Sequence, residues 1–332
     1  MSYYHKSNAN GSAIIAVLVL LTTATTLLGI FIKLNNKNLT QFNYYKVNGT
    51  LLLHVNSVED FASDIIKFDY QNSPNVSSLD ESWNNQVPNL SIGSYNISSQ
   101  LYDLQSKINI NNLIISTQSI DETNSSSVVN FIQKERLENL FEDLYIDSSK
   151  IDAVIDWIDE NTETFSSYGA EDDFYLSKDT PYRSANNFIL DIDELLLVKG
   201  FDMNTVNKLK PFITAIAPND YININTITPT VLKAVHKLIG PINADKIINQ
   251  RTKMPFSSIK DFAVFLKYDL RFTESLINEI VSMMHTSSNN YLLKAKIILY
   301  KHTLEYETMI QYKPDGDMIH KRNRVIKKIG KI

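Results

Sequence analysis

Gly11-Ser-Ala-Ile-Ile-Ala-Val-Leu-Val-Leu-Leu-Thr-Thr-Ala-Thr-Thr-Leu-Leu-Gly-Ile-Phe-Ile32 contains no charged residue. About 20 uninterrupted, mostly apolar residues match the length a helix needs to cross a bilayer core. A cleavable secretory signal has a shorter apolar core followed by a small-residue cleavage site. Here the small residues lie inside the run, so the stretch reads as a retained anchor, with everything after about residue 35 on one side of the membrane. Lys6 precedes the span while Lys33 and Lys37 follow it, and the balance of basic residues therefore says little about orientation.

Working outward, Leu53, Val58, Phe61, Ile65 and Ile66 recur at helical spacing between Thr50 and Tyr70. They predict that the anchor helix continues, with a polar and irregular stretch around Asn35 to Asn38. Residues 71–100, rich in Asn, Ser and Pro, predict loops and short strands. Leu101 to Ile115 alternates through Lys107-Ile-Asn-Ile-Asn and predicts a strand. From 129 to 285 short helical patterns dominate, separated by capping and turn residues such as Ser149, Asp202, Thr228-Pro229 and Ser257. Tyr291 to Tyr312 is β-rich and divides near Lys301-His302, which predicts a closing hairpin. Lys313 to Ile332 is basic and predicts a poorly ordered tail. Two strand regions around a helical block suggest a helical domain inserted into an α+β domain.

Composition narrows the function classes. With 43% hydrophobic and 21% charged residues the bulk of the chain is expected to fold. A net charge of −5 disfavours general nucleic-acid binding. The absence of cysteine excludes disulfides, thiolate-bound metals and a cysteine nucleophile. None of the 6 histidines forms an H-x-x-H or H-E-x-x-H pair, so a transition-metal site has no support.

Two constellations remain. Thr228-Pro-Thr-Val-Leu-Lys-Ala-Val, followed by His236-Lys-Leu-Ile-Gly-Pro-Ile-Asn243, has helix–turn–helix logic: Thr228 caps one helix, Gly240-Pro241 closes it, and Asn243 caps the next. The pattern resembles helix-hairpin-helix modules, which can bind DNA backbones through exposed hairpin amides. Proline takes the place of one such amide, which favours a packing role. The second constellation is acidic: Asp156-Trp-Ile-Asp159-Glu160, then Gly169-Ala-Glu171-Asp172-Asp173-Phe-Tyr, then Pro181-Tyr-Arg-Ser-Ala-Asn186. Consecutive carboxylates in a loop repel one another, and a hard cation such as calcium, which takes six to eight oxygens, would relieve that. A solvated acidic loop explains the same residues. Asp103, Asp156 and Asp159 could also serve as general acid or base, but no nucleophile signature accompanies them.

Taken in order, Asp103-Leu-Gln-Ser-Lys-Ile-Asn-Ile-Asn-Asn-Leu113, Ile155-Asp-Trp-Ile-Asp159, Gly169–Tyr175, Pro181–Asn186, Glu194-Leu-Leu-Leu-Val-Lys-Gly-Phe201 and Ile222-Asn-Ile-Asn-Thr226 resemble the K-type minor pseudopilins of bacterial type II secretion systems. The resemblance covers nearly the whole chain. It begins at Gly11–Ser12, which fits the junction where a prepilin peptidase removes a polar leader. Ala16 occupies the fifth mature position, where most pilins carry a glutamate and this member of the family does not.

The resemblance implies an α+β, type IV pilin-like fold with a large inserted α-helical domain of two SAM-like, helix-hairpin-helix units. The corresponding divisions are a leader at 1–11, a membrane and pilin helix at 12–70, first strands at 71–128, the inserted domain at 129–285 with its acidic loop at 156–186, closing strands at 286–312 and a basic tail at 313–332. It implies a non-catalytic subunit at the tip of the pseudopilus. The soluble domain would be periplasmic and the anchor would rest in the inner membrane until assembly. Implied partners are the I- and J-type minor pseudopilins, the major pseudopilus subunit, the inner-membrane assembly platform and the prepilin peptidase. It also implies calcium, with Asp159, Glu171, Asp172, Asp173 and Asn186 as its ligands. The alternative is a membrane-anchored helix-hairpin-helix DNA receptor of the competence type.

Overall fold

A computed structural model describes residues 9–85, 87–118, 125–218, 220–300, 302–313 and 318–331. The leader up to residue 8 lies outside the described residues, and of Gly11 and Ser12 only the helical backbone is described.

Helix α1, Ala9–Asn72, is unbroken over 64 residues, about 96 Å at 1.5 Å per residue. The irregular stretch expected around Asn35 to Asn38 is absent. Asparagine costs a helix well under 1 kcal/mol per residue, and extending an existing helix needs no new nucleus. Ala13–Leu39 is apolar, with a mean hydropathy of 2.5, and none of it is buried by the rest of the chain. Thr22, Thr23, Thr25 and Thr26 donate their hydroxyls to carbonyls three or four residues back, which satisfies these hydroxyls within the helix itself.

Beyond the span, Leu51, Val55, Val58, Ala62 and Ile66 form the buried stripe, at the four- and three-residue spacing of one helix face. The helical spacing read from the sequence holds, and the structure resolves which of its residues turn inward. Leu53 and Phe61, which share that spacing, are 71% and 52% exposed. The helix carries two apolar stripes, and the chain itself covers only one.

That stripe packs on a five-stranded antiparallel sheet of order β1-β2-β9-β10-β11. Its strands are β1 (Val87–Ile92), β2 (Tyr95–Asp103), β9 (Asn290–Leu299), β10 (His302–Lys313) and β11 (Met318–Lys331). β2 pairs with β9 in the register Ile97↔Ile297 and Leu101↔Leu293, so the ends of the chain meet and the helical block emerges between them. Ile297, Leu304, Tyr306 and Ile310 line the inner face against α1.

Strand β11 corrects the tail expectation. It pairs with β10 from Lys313↔Met318 to His302↔Lys331. Its charges are matched across the fold: Arg324 Nε lies 2.8 Å from Glu59 Oε1 and Arg324 Nη2 2.5 Å from Glu59 Oε2. Lys321 reaches Asp60. Glu59 is fully buried and also accepts from Thr308 Oγ1 at 2.7 Å.

The intervening block contains the short strands β3 (Ile108–Asn109), β4 (Ile114–Gln118), β5 (Ser125–Val129), β6 (Ile213–Thr214), β7 (Ile222–Asn223) and β8 (Met284–His285). Its helices are α2 (Phe131–Asp143), α3 (Lys150–Ile158), α4 (Asp172–Leu176), α5 (Met203–Leu209), α6 (Pro229–Val235), α7 (Pro241–Lys253), α8 (Ile259–Tyr268) and α9 (Glu274–Val281). They enclose a second core around Leu137, Leu140, Ile155, Val206, Leu232 and Phe262. The strand predicted over Leu101 to Ile115 breaks after Asp103 into two 3-10 turns. Asparagine side chains replace the ladder there: Asn109 Oδ1 accepts from Asn111 N and Ile216 N, and Asn109 Nδ2 donates to Ala217 O. Thr228 caps α6 as expected. Helix α7 starts at Pro241 with Gly240 as its cap, so Asn243 lies inside the helix and donates instead to Leu238 O.

Candidate functional site

The two cores meet at a polar joint built on Asp103, at the end of β2. Its Oδ2 accepts from Thr226 Oγ1 at 2.5 Å and Ser288 Oγ at 2.6 Å, and its Oδ1 from Gln105 N at 2.8 Å. Gln105 Oε1 in turn accepts from Asn289 N, and Gln105 Nε2 donates to Asp220 Oδ1. Asp103 is buried, and burial raises its carboxyl above the usual range against the hydrogen bonds that stabilise its charge. The motif Asp103–Leu113 thus ties β2, β7 and the approach to β9 together. An acid/base role for Asp103 does not fit a carboxyl whose donors are all structural and which is shut off from solvent.

The acidic loop lies after α3. Asp156, fully buried, accepts from Phe165 N on Oδ1 and Ala170 N on Oδ2, both at 2.7 Å. It folds residues 159–171 back over the end of α3. Gly169 is required by this closure, because a Cβ there would lie 2.0 Å from Asp156 Oδ2. Lys199 Nζ adds a bond to Gly169 O at 2.8 Å.

This closure gathers carboxylates. Asp159 Oδ2 accepts from Asn161 Nδ2 at 2.8 Å, while its Oδ1 is buried without a partner. Glu171 Oε2 accepts from Ser184 Oγ at 3.3 Å, and its Oε1 is likewise buried and unmatched. Burial, then the Asp156 charge, pushes the Asp159 carboxyl up to about 6. Burial, then Asp156 and Asp159, pushes Glu171 up to about 7. Asn186, held at φ +44°, also buries an Oδ1 with no partner.

Of the five residues singled out in the sequence, these three keep oxygen lone pairs free. The other two are disposed differently. Asp172 is engaged by Arg183 Nη1 at 2.7 Å and by the Ser184 backbone N–H at 3.0 Å. Asp173 is exposed in the first turn of α4. Among the described residues no group of three or more His, Asp or Glu side chains is arranged to hold a metal. The available donor set is two carboxylates and one amide oxygen, hard ligands that suit calcium or magnesium better than a transition metal.

The Glu59–Arg324 pair escaped the sequence reading. Its signal is visible in retrospect: Glu59 falls among Val55, Val58 and Ala62 on the buried stripe, where a carboxylate requires a partner.

Residues 106–218 and 222–268 match two family models, both described as type II secretion system (T2SS), protein K. Type II secretion system protein K of Aeromonas hydrophila is 30% identical over 204 residues, 59% of this chain and 61% of that protein. The Pectobacterium carotovorum protein of the same name is 25% identical over 265 residues, 77% of this chain and 79% of the relative. In a crystal structure of the GspK-GspI-GspJ complex from the enterotoxigenic Escherichia coli type 2 secretion system, one chain superimposes with a TM-score of 0.71 at 19% identity. The superposition covers 87% of this chain and 99% of that one. At that identity the likeness establishes the shared fold: a long N-terminal helix, an antiparallel sheet and many helices. The chain belongs to the type II secretion system protein K family.

Proposed function

We propose that the chain is a non-catalytic minor pseudopilin that caps the tip of a type II secretion pseudopilus and starts its assembly with I- and J-type minor pseudopilins. The observation that carries this is the second stripe of α1. Phe42, Tyr45, Leu53, Phe61 and Phe68 are all at least half exposed, although the segment runs alongside a complete core. Such a face is made to pack against other helices. The I- and J-type subunits are the occupants favoured, since the structural relative was crystallised with the I and J proteins of its own system.

The bulk of the helical block fits a terminal place. A second full core beside the sheet is too wide to be wound into the body of a filament. Ala16 fits it too, because a first subunit has no neighbour above whose amine a glutamate would pair with. Gly11–Ser12 is the processing junction, and the matured helix waits in the inner membrane with the soluble part in the periplasm. The helical block is read as two SAM-like units serving packing, with Pro241 removing an amide that a DNA-binding hairpin would need.

Calcium is assigned to the acidic loop, with Asp159, Glu171 and Asn186 as holders and Asp172 and Asp173 at its edge. A bound ion would neutralise carboxylates that the fold leaves without a cation. Co-purification of the full chain with I- and J-type pseudopilins tests the central reading. Leu53→Arg with Phe61→Arg is expected to abolish the complex while leaving the fold intact, and retention of the complex would overturn the assignment. A normally processed Gly11→Val chain would refute the leader junction.

A further inference from the structure

We propose that the membrane-facing end of the sheet, together with the lysines of α1 at and just past the end of the span, forms a basic collar that rests on anionic lipid headgroups while the chain is membrane-resident. It rests on Ala13–Leu39 crossing the bilayer, not on the secretion partners.

The direction of the strands fixes which end is meant. Along β10, Thr308 bonds Glu59, and the Tyr312 ring meets Tyr70 at 4.8 Å. β10 therefore runs the same way as α1, away from the span, and its first residue, His302, is the membrane-side end. β11 is antiparallel to it, so Lys331, opposite His302, returns to that end. The turn after β9 and the turn after β1 lie there as well, joined by Ser94 Oγ donating to the Tyr300 hydroxyl at 3.2 Å. The sheet core begins at Val47. Only about 12 Å of helix separates it from Leu39, at 1.5 Å per residue. That is about one and a half screening lengths at physiological salt, short enough for an attraction that salt weakens.

The charge at this level is predominantly positive. The first acidic residue in the chain is Glu59; exposed Lys33 and Lys37 lie in the last two turns of the apolar segment, and exposed Lys46 lies on the intervening α1 surface. Exposed Lys328 joins them from β11; the acid across the ladder, Glu305, lies 2.9 Å from Lys296 and is shared between the two lysines, which leaves a net positive charge. Tyr45 and Tyr300, 70% and 74% exposed, supply the amphipathic rings that favour a headgroup layer. A chain of net charge −5 has thus sorted basic and aromatic groups to the end that faces the bilayer. Each basic side chain near an anionic surface multiplies the bound population about fivefold, so a few suffice to hold the soluble part against the membrane.

The chain has no cysteine, so Ser94→Cys gives a single attachment point for a fluorophore beside the collar. Full-length protein in nanodiscs carrying headgroup-quencher lipid should be quenched severalfold more in phosphatidylglycerol than in phosphatidylcholine. The difference should disappear in ~1 M salt and in the Lys46→Glu, Lys328→Glu, Lys331→Glu variant. A label at Met254→Cys, in the helical block, should show none. Equal quenching in both lipids, or quenching indifferent to salt, overturns the collar. Failure of the unaltered chain to enter nanodiscs overturns the span itself, so the two readings fail separately.

Discussion

The sheet half and the helical half treat buried carboxylates in opposite ways. Against the sheet, Glu59 is closed off and answered by Arg324, a residue contributed from the far end of the chain. In the helical half, Asp156 near the end of α3 and Asp159 and Glu171 on the loop after it are buried and answered chiefly by backbone amides and neutral side chains, with two oxygens left unmatched. One half completes its charge internally. The other leaves carboxylate oxygens unmatched, and that is where the proposed cation would sit.

The comparison can be broken most strongly from the sheet side. Arg324→Ala strands Glu59 without its cation. The expected loss is about 3 kcal/mol in chemical denaturation, reduced from the fully buried case because Arg324 is partly exposed. The double variant Glu59→Met, Arg324→Leu should recover most of it. A single variant as stable as the parent would mean that the pair is only a surface contact.

A loss of about 2 kcal/mol is expected for Gly169→Ala, since the new Cβ would displace Asp156 from the Ala170 amide and leave a buried donor unmatched. Calcium should then lose its stabilising effect on that variant. Full stabilisation by calcium would show that the loop closure does not build the site.

The smallest effect concerns pH. Glu171 and Asp159 are raised to about 7 and about 6 when folded, above ordinary values of 4.5 and 3.8. Between those limits the folded chain holds protons that the unfolded chain has released. Without calcium, their contribution is therefore full below about pH 4 and is lost as pH rises towards 7. Asp159→Asn with Glu171→Gln should flatten this slope. About 1 mM calcium should raise the melting temperature at pH 8, where the site is ionised, and do nothing at pH 4. Identical melting in calcium and chelator at pH 8 would remove the ion from the loop.

Several elements were legible from local pattern alone. The span announced itself by length and lack of charge, the closing hairpin by its β-rich alternation, and α6 by Thr228-Pro229. The acidic loop was visible as a cluster, but only the closure by Asp156 distinguished Asp159, Glu171 and Asn186, with orphaned oxygens, from Asp172, which Arg183 occupies. The buried face of α1 was not legible, because Leu53 and Phe61 are as apolar as the residues that turn inward. Strand β11 was missed because its basic residues look solvated until Glu59 and Asp60 are placed beside them.

By itself the sequence determined what depends on neighbours along the chain: an apolar run long enough for a bilayer, helix caps, turns, and an ordered set of motifs specific to one family. Tertiary structure alone decided which stripe of α1 is buried, that the last strand closes the sheet, and which acids keep free lone pairs. Those outcomes depend on residues brought together from as far apart as Glu59 and Arg324, and a charge or an apolar side chain acquires its role only from what is packed against it.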